Sequence, residues 1–588
     1  MPVGVPVGVP SAAGALRAPE AESAIPPSSR ASIDAAVDTL RSRKVAWASL
    51  PLLEKIDLLR QLRKSFAAVA EAWVAACQRA EGIPGDAPRG SEEWIAGPYF
   101  VLRNLRLLQD SLVGISVHGA PRIPGWVRQR PDGRTVAQVF PGDLYDRLFY
   151  PGLTGEVWLQ PGATPETIAR HQAVAYREEL PRGKVALVLS AGNVSSSGPM
   201  DALYKLFVDN EVVVFKTHRV NDYLGPLLER GLRPLVEAGF LRVVYGGAEE
   251  GAYLCEHPLV DSIHITGSDK TYDAIVFGTG AEGARRKAAG ELRLQKPVTA
   301  ELGNVSPVIV VPGTWSDADL AYQAENVATM LTNNAGFNCN AARVLVLHRG
   351  WSQREPFLAA VRDVLRRVPP RRAYYPGAAD RFAAFLAAHP DSVLIGEPGE
   401  GELPWGMALD LDPDQRDDVA FTTEAFCSFF GAVPLPAAGA VDFVRRAVEF
   451  CNGTLWGTLN ATLIVHPDSA AEPELGAAVE QAIAELRYGT VSVNHWAAIG
   501  YGLVVTPWGA YPGHPPQDIR SGVGVVHNTL MFSDVEKGVV RAPFRARPKP
   551  PWFVLHRTSH ELLRKLTYFE AAPAPWKLPA IFALALQG

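Results

Sequence analysis

Cysteine is scarce in this chain: five residues among 588, at positions 77, 255, 339, 427 and 451. None stands in a Cys-x-x-Cys pair, and none has a histidine at the spacing of a zinc ligand. Odd in number and widely spaced, they read as reduced thiols of a cytoplasmic protein without a metal centre. Long apolar runs are lacking too, since no stretch approaches the roughly 18 to 20 residues a membrane helix needs. Neither sign of charge prevails. The 57 Lys and Arg against 62 Asp and Glu leave a formal net charge of -5, which gives no reason to expect a nucleic-acid partner.

What is present is ordinary globular material, 47% hydrophobic and 20% charged, in a length that suits two or three domains. Residues 1–31 repeat VPVG and are rich in Pro, Ala and Ser, with no basic segment ahead of an apolar core. They read as a disordered leader and not as a signal peptide. Residues 32–83 place Ile33, Val37 and Leu40, then Ile56, Leu59, Leu62 and Phe66, at helical spacing. A second helical run covers 91–115, and QRPDGRT at 129–135 predicts a hairpin turn within the Gly-, Pro- and aromatic-rich segment 121–165. Short apolar runs at 182–192, 212–216, 241–247 and 260–267, with a helical stretch between the first two, predict buried parallel strands of an α/β sheet.

The chain is organised around residues 299–346, which contain Glu301 and Cys339. Cys339 lies in NNAGFNCNAAR, between a helical pattern at 320–331 and a strand pattern at 344–347. A loop of this kind can hold a thiol beside a cleft, where backbone N–H groups lower its pKa from about 8.5 toward neutrality. The plainer reading of a single free cysteine is a small buried apolar residue.

ELGNVSPVIVV at 301–311 and NNAGFNCNAARVLV at 333–346 resemble two segments of the aldehyde dehydrogenase superfamily. ITGS at 265–268, the Glu424 and Phe426 pair in EAF, and NGTLWGTLNATLIVHP, YGTVSVN and TPWGAYPG resemble further segments in the same order, over about 32–532. The resemblance implies an α/β fold with two parallel-sheet domains and a small β oligomerisation element. It divides the chain into N-terminal helices and a nucleotide-binding domain over 32–300, with an oligomerisation hairpin near 121–165. A catalytic domain over 301–495, a return to the cofactor domain over 496–534, and a C-terminal strand and extended tail over 535–588 follow.

By the same resemblance Cys339 attacks an aldehyde, Asn193 steadies the oxyanion, and Glu301 activates the water that hydrolyses a thioester to a carboxylic acid. Lys216, Arg219, Gly267, Ser268, Glu424 and Phe426 take positions that bind NAD or NADP, and no metal is implied. The partners expected are a small-molecule aldehyde and further copies of the chain in a homodimer or homotetramer, with no nucleic acid and no stable membrane insertion. Four departures stand out. Phe337 replaces a glutamine, Arg219 an acidic residue, and Tyr272 a glycine, while the interval from Cys339 to Arg343 is one residue short. A cation at 219 suits the 2′-phosphate of NADP.

Gly278, Gly280 and Gly283 satisfy a G-x-G-x-x-G pattern, which, with no repeated strand–helix–strand series beginning there, reads as part of an inserted flexible loop. The segment from 535 concentrates Arg, Lys and aromatics; it reads as an oligomerisation strand followed by a docking helix at 558–569, with a nucleic-acid or membrane patch as the alternative. Val194, Ser195, Ser196 and Ser197 on one side and His495 and Trp496 on the other are expected at the substrate tunnel, leaving room for a bulky apolar aldehyde. Two other readings are an acylating dehydrogenase or acyl-CoA reductase and a non-catalytic binding protein of the same fold.

Overall fold

The computed structural model describes residues 25–85, 87–179 and 181–588. Most of the expected leader, residues 1–24, lies outside the described residues. The first helix, Arg30–Ala48, starts where Ser29 Oγ accepts from Ser32 N at 3.2 Å, a serine cap satisfying a free N–H. A second helix, Leu52–Glu81, buries Ile56, Leu59, Leu62 and Phe66, the stripe that the spacing predicts.

A six-stranded sheet runs in the order Gly522–Val523, Val298–Leu302, Ser262–Gly267, Val185–Leu189, Val212–Lys216, Leu241–Val244. All its pairings are parallel except that of Gly522–Val523. Residues such as Val185, Leu187, Val213 and Ile263 are fully buried, because helices cover both faces of a parallel sheet. The chain runs outward from Val185–Leu189 to one side and then returns to add Ser262–Gly267 on the other. A crevice opens beyond the strand ends at such a reversal. Asn193 and Ser268 both lie just past those two ends.

The second sheet has eleven strands. Its parallel part is Trp405–Ala408, Phe429–Leu435, Val344–His348, Pro307–Val310, Asn460–Ile464, Thr490–Val493 and Val535–Arg541. The hairpin strands Val127–Gln129 and Thr135–Phe140, with Thr154–Leu159, extend it antiparallel. Gly133 at φ +84° makes the hairpin turn, which a glycine adopts without a Cβ penalty. The chain is therefore an α/β protein built on two parallel-rich sheets, with small additional sheets.

Val535–Arg541 is paired on both edges by strands of its own chain, Thr490–Val493 and Thr154–Leu159. Residues 542–558 then run along the helix Asp317–Thr332. Phe544 O accepts from Gln323 Nε2 at 2.6 Å, Val554 N donates to Thr329 Oγ1 at 3.0 Å, and Leu555 N donates to Glu325 Oε1 at 3.2 Å. The closing helix Ser559–Ala571 drives Glu570 into the N-terminal helices, where it accepts from Arg103 Nη1 at 2.9 Å and Arg106 Nε at 2.6 Å.

Two local readings need correction. The segment expected as a flexible loop around Gly280 is a helix, Gly280–Ala289. Glu282 pairs with Arg285 and Arg286 along it, and a Cβ on Gly283 would collide with Gly278 O, so this glycine serves close packing. The run at 91–115 is also broken: Gly97 leaves helical geometry ahead of Pro98, and a regular helix resumes at Phe100–His118. A Cβ on Gly97 would meet Ser195 Oγ at 2.9 Å. The break lets the helix pair come up against the loop after Val185–Leu189, where Ser196 N donates to Ala96 O at 3.0 Å.

Candidate active site

The loop that carries Cys339 is built by conformations few residues adopt freely. After the helix Asp317–Thr332, Asn334, Ala335 and Gly336 take φ of +49°, +52° and +82°, a left-handed run costing about 1–2 kcal/mol at each non-glycine position. Packing holds it there. Arg343, wholly buried, donates from Nη1 to Cys427 O at 2.8 Å. Tyr374 Oη donates to Asn334 Oδ1 at 2.7 Å, and Cys339 O accepts from Ser306 Oγ and Asn460 Nδ2, each at 3.2 Å.

Glu301, on the strand Val298–Leu302, faces Cys339, and the thiol and the carboxyl share a hydrogen bond. Burial pushes the Glu301 carboxyl up to about 8, opposed by donation from Cys339 and from Trp508 Nε1, which lies 3.0 Å from Oε1. The expectation of a depressed thiol pKa is not met. Burial, reinforced by the carboxyls of Glu301 and Glu424, pushes Cys339 well above its ordinary value. Removing a thiolate from water beside two acids outweighs the loop N–H groups.

One cavity of about 1380 Å³ holds both residues and continues between the two sheets. Asn193, Lys216, Arg219, Gly267, Ser268, Glu424 and Phe426 all line it. Asn193 Nδ2 donates one N–H to Phe337 O at 2.9 Å; an amide nitrogen carries a second. Burial lowers the Lys216 pKa, and the exposed part of Arg219 reaches Asp222 Oδ2 at 3.3 Å. Ser268 Oγ accepts from Thr271 N at 3.1 Å as the cap of the helix Asp269–Val276. Glu424 Oε1 accepts from Asn304 N at 3.2 Å; burial pushes its carboxyl up to about 7. Phe426, at φ +42°, is held by Arg381 Nη2 donating to its carbonyl at 3.1 Å.

The departures at 337 and 272 acquire reasons. Phe337 packs edge-on against Tyr374, stacks on Tyr375 and meets Phe426, with centroids at 5.1, 5.7 and 6.1 Å. Tyr272 is buried with Ile265, Val276, Phe277 and Leu302, filling the space behind the Gly267 turn. Of the expected tunnel residues, Val194, Ser197, His495 and Trp496 line the cavity. Ser195 instead accepts from Trp73 Nε1 at 3.1 Å, and Ser196 bonds Tyr501 Oη at 2.9 Å. Sequence reasoning missed Trp508, although it stands in the recognised TPWG segment, and it missed Phe100, Tyr150 and Trp552, which carry no local motif.

Residues 163–373 match the family model described as the aldehyde dehydrogenase family. The N-succinylglutamate 5-semialdehyde dehydrogenase of Sphingopyxis alaskensis is 23% identical over 57% of this chain and 56% of its own length. The human 4-trimethylaminobutyraldehyde dehydrogenase is 37% identical over 19% of each. The chain thus spans about half the length of the first of these curated relatives and less of the second. Among solved structures, the NADP-dependent glyceraldehyde-3-phosphate dehydrogenase of Bacillus halodurans, complexed with NADP, superposes with a TM-score of 0.59 at 18% identity, over 90% of this chain and 95% of that one. The matched segment carries Asn193, Lys216, Gly267, Ser268, Glu301 and Cys339; residues 163–373 are thus similar to the aldehyde dehydrogenase family, and the fold shared with the solved dehydrogenase extends over nine-tenths of the molecule.

Proposed function

We propose that the chain oxidises an aldehyde to a carboxylic acid with NAD or NADP. The observation that carries this reading is the Cys339 thiol against the Glu301 carboxyl within a cavity large enough for a dinucleotide and a substrate together. The lining suits a nicotinamide nucleotide. Ser268 and the N–H groups of its helix suit the phosphates, Lys216 and Arg219 offer cations, and Glu424 can accept from vicinal ribose hydroxyls beside Phe426. Such a nucleotide, when bound, supplies the two-electron acceptor.

Cys339 adds to the carbonyl as the thiolate, its proton having passed to water in the cavity. The second N–H of Asn193 and the backbone N–H of Cys339 meet the developing oxyanion, a contribution worth about 3 to 4 kcal/mol where such donors have been removed. Once the adduct is oxidised to a thioester, Glu301 takes a proton from the attacking water. That carboxylate in reach of sulfur favours water over the thiol of coenzyme A as acyl acceptor. Assembly as a homodimer or homotetramer and a cytoplasmic setting belong to the same reading; sedimentation against the 63.5 kDa monomer mass tests the first. No helix among the described residues is long and apolar enough to cross a membrane.

Trapping tests the reading. Glu301→Gln incubated with the nucleotide and an aldehyde is expected to gain one acyl mass on the peptide containing Cys339. A peptide of unchanged mass contradicts it, and a thioester released into coenzyme A would assign the acylating reaction instead.

A further inference from the structure

Beyond the nucleophile the cavity is walled by rings drawn from distant parts of the chain: Phe100, Tyr150, His495, Trp496 and Trp552. They are connected. Trp496 Nε1 donates to Asn340 O at 2.7 Å, next to the nucleophile itself. His495 and Trp552 have centroids 5.3 Å apart, Tyr150 stacks with Trp552 at 6.4 Å, and Phe100 meets Tyr501 at 5.4 Å, which in turn meets Trp508 beside Glu301. Ile95, Ala96, Val194 and Ile499 fill the gaps.

Charge is confined elsewhere. The cationic lining residues, Lys216, Arg219, Lys270, Arg293 and Arg381, stand around the expected nucleotide positions. Arg103 approaches the Tyr150 ring to 5.9 Å but does not line the cavity, and its guanidinium is taken up by Asp146 and Glu570. His495 is held neutral, since burial brings its pKa down to about 4. A carboxylate or phosphate on the substrate would be desolvated there without a counter-ion, which is costly.

Trp552 is the ring of this wall that the C-terminal tail supplies, and the tail is fastened on both sides of it. Phe544 O is held by Gln323, and Val554 N and Leu555 N by Thr329 and Glu325, all on the helix leading to the Cys339 loop. Lys549 also pairs with Glu325 at 3.4 Å. A strap tied so closely to the nucleophile's own helix positions an indole relative to the sulfur and does more than cover a surface.

We propose that Trp552 is a specificity-determining residue of the substrate arm, and that this arm takes an uncharged aldehyde bearing an aromatic ring. The inference rests on the reading of Cys339 as the residue that meets the carbonyl. An aromatic substrate stacks between Trp552 and the facing rings at offset or edge-on geometry. An anionic aldehyde finds no cation among these rings, and the Asp201 carboxylate that lines the same cavity is taken up by Thr266 Oγ1, which donates to it at 2.8 Å.

The test uses the full chain and 2-naphthaldehyde. On a Cys339→Ala background, calorimetry is expected to show binding that Trp552→Ala weakens about tenfold, Trp552→Leu nearly as much, and Trp552→Phe much less. Leucine keeps apolar volume without a ring, so loss in that variant is not a packing collapse. In turnover, the ratio of kcat/KM for 2-naphthaldehyde to that for propanal is expected to fall about tenfold in Trp552→Ala. An unchanged dissociation constant or ratio overturns the proposal. So does a wild-type preference for 4-oxobutanoate or trimethylammonioacetaldehyde over 2-naphthaldehyde. Binding that depends on Trp552, with no nucleotide reduced by any aldehyde, would leave this inference standing and remove the oxidation reading.

Discussion

Glu301 is a buried acid with two donors on it, the Cys339 thiol and the Trp508 indole N–H at 3.0 Å, and its pH behaviour follows from that. Burial disfavours the charged form and raises the carboxyl to about 8. Only the carboxylate can accept a proton from the hydrolytic water, so the fraction of active base grows as pH rises through that value, and kcat is expected to climb to a plateau above about 8. Trp508→Phe removes a donor that favours the charged form. The same limb should move to higher pH by about 1 unit, the size of one hydrogen bond to a charged group; a pH–rate profile on the variant reads this directly. At this scale residue types are more legible in the sequence than their partners. Cys339, Glu301 and Asn193 are visible through motif resemblance. The Trp508 bond is not, because an indole in place of a phenyl ring announces a donor without saying what accepts it. Phe337 looks like a defect in the motif, and only its packing on Tyr374 and Tyr375 shows it as a replacement of polar support by aromatic support.

Strands are legible as elements because a strand buried on both faces is a continuous apolar run: 212–216 emerges as Val212–Lys216 without adjustment. The helix Gly280–Ala289 is not, since its glycines argue against a helix locally, and the packing of Gly283 on Gly278 O is a contact that spacing does not reveal. The Cys339 loop also depends on such contacts. Gly336 stands at φ +82°, and a Cβ there would collide with Cys427 O. Gly336→Ala is therefore expected to destabilise by about 2–3 kcal/mol and to lose most turnover, through strain and displacement of the Cys339 loop. A lowered unfolding midpoint with activity reduced in parallel checks it. The tail helix makes its own demand. Glu570 compensates two buried guanidinium groups, Arg103 and Arg106, and Glu570→Ala leaves both without it at a cost of about 3 to 5 kcal/mol. Denaturant titration of the variant should show the loss, whereas a midpoint equal to the wild type would exclude a clamp.

The whole molecule is closed by residues 535–588 in a way no local pattern announces. The strand Val535–Arg541 joins two halves of the eleven-stranded sheet, the hairpin strands on one side and the parallel strands on the other. The residues after it then tie the helix Asp317–Thr332 to the N-terminal helices through Glu325, Thr329 and Glu570. Truncation before Val535 is expected to leave Thr154–Leu159 and Thr490–Val493 each with an unpaired edge, and such a chain should aggregate; a soluble truncated chain with native circular dichroism would contradict this. The tail's basic and aromatic content also reads as an interaction patch, because its true partners lie hundreds of positions away, as with Lys549 on Glu325 and Glu570 on Arg103. Aldehyde oxidation through Cys339 is tested most directly by nucleotide reduction with NAD and with NADP across a panel of aldehydes, comparing wild type with Cys339→Ala and Glu301→Gln. Steady turnover is expected in the wild type, none in Cys339→Ala, and about one equivalent of reduced nucleotide per site before Glu301→Gln stalls. Undiminished turnover in Cys339→Ala would contradict it.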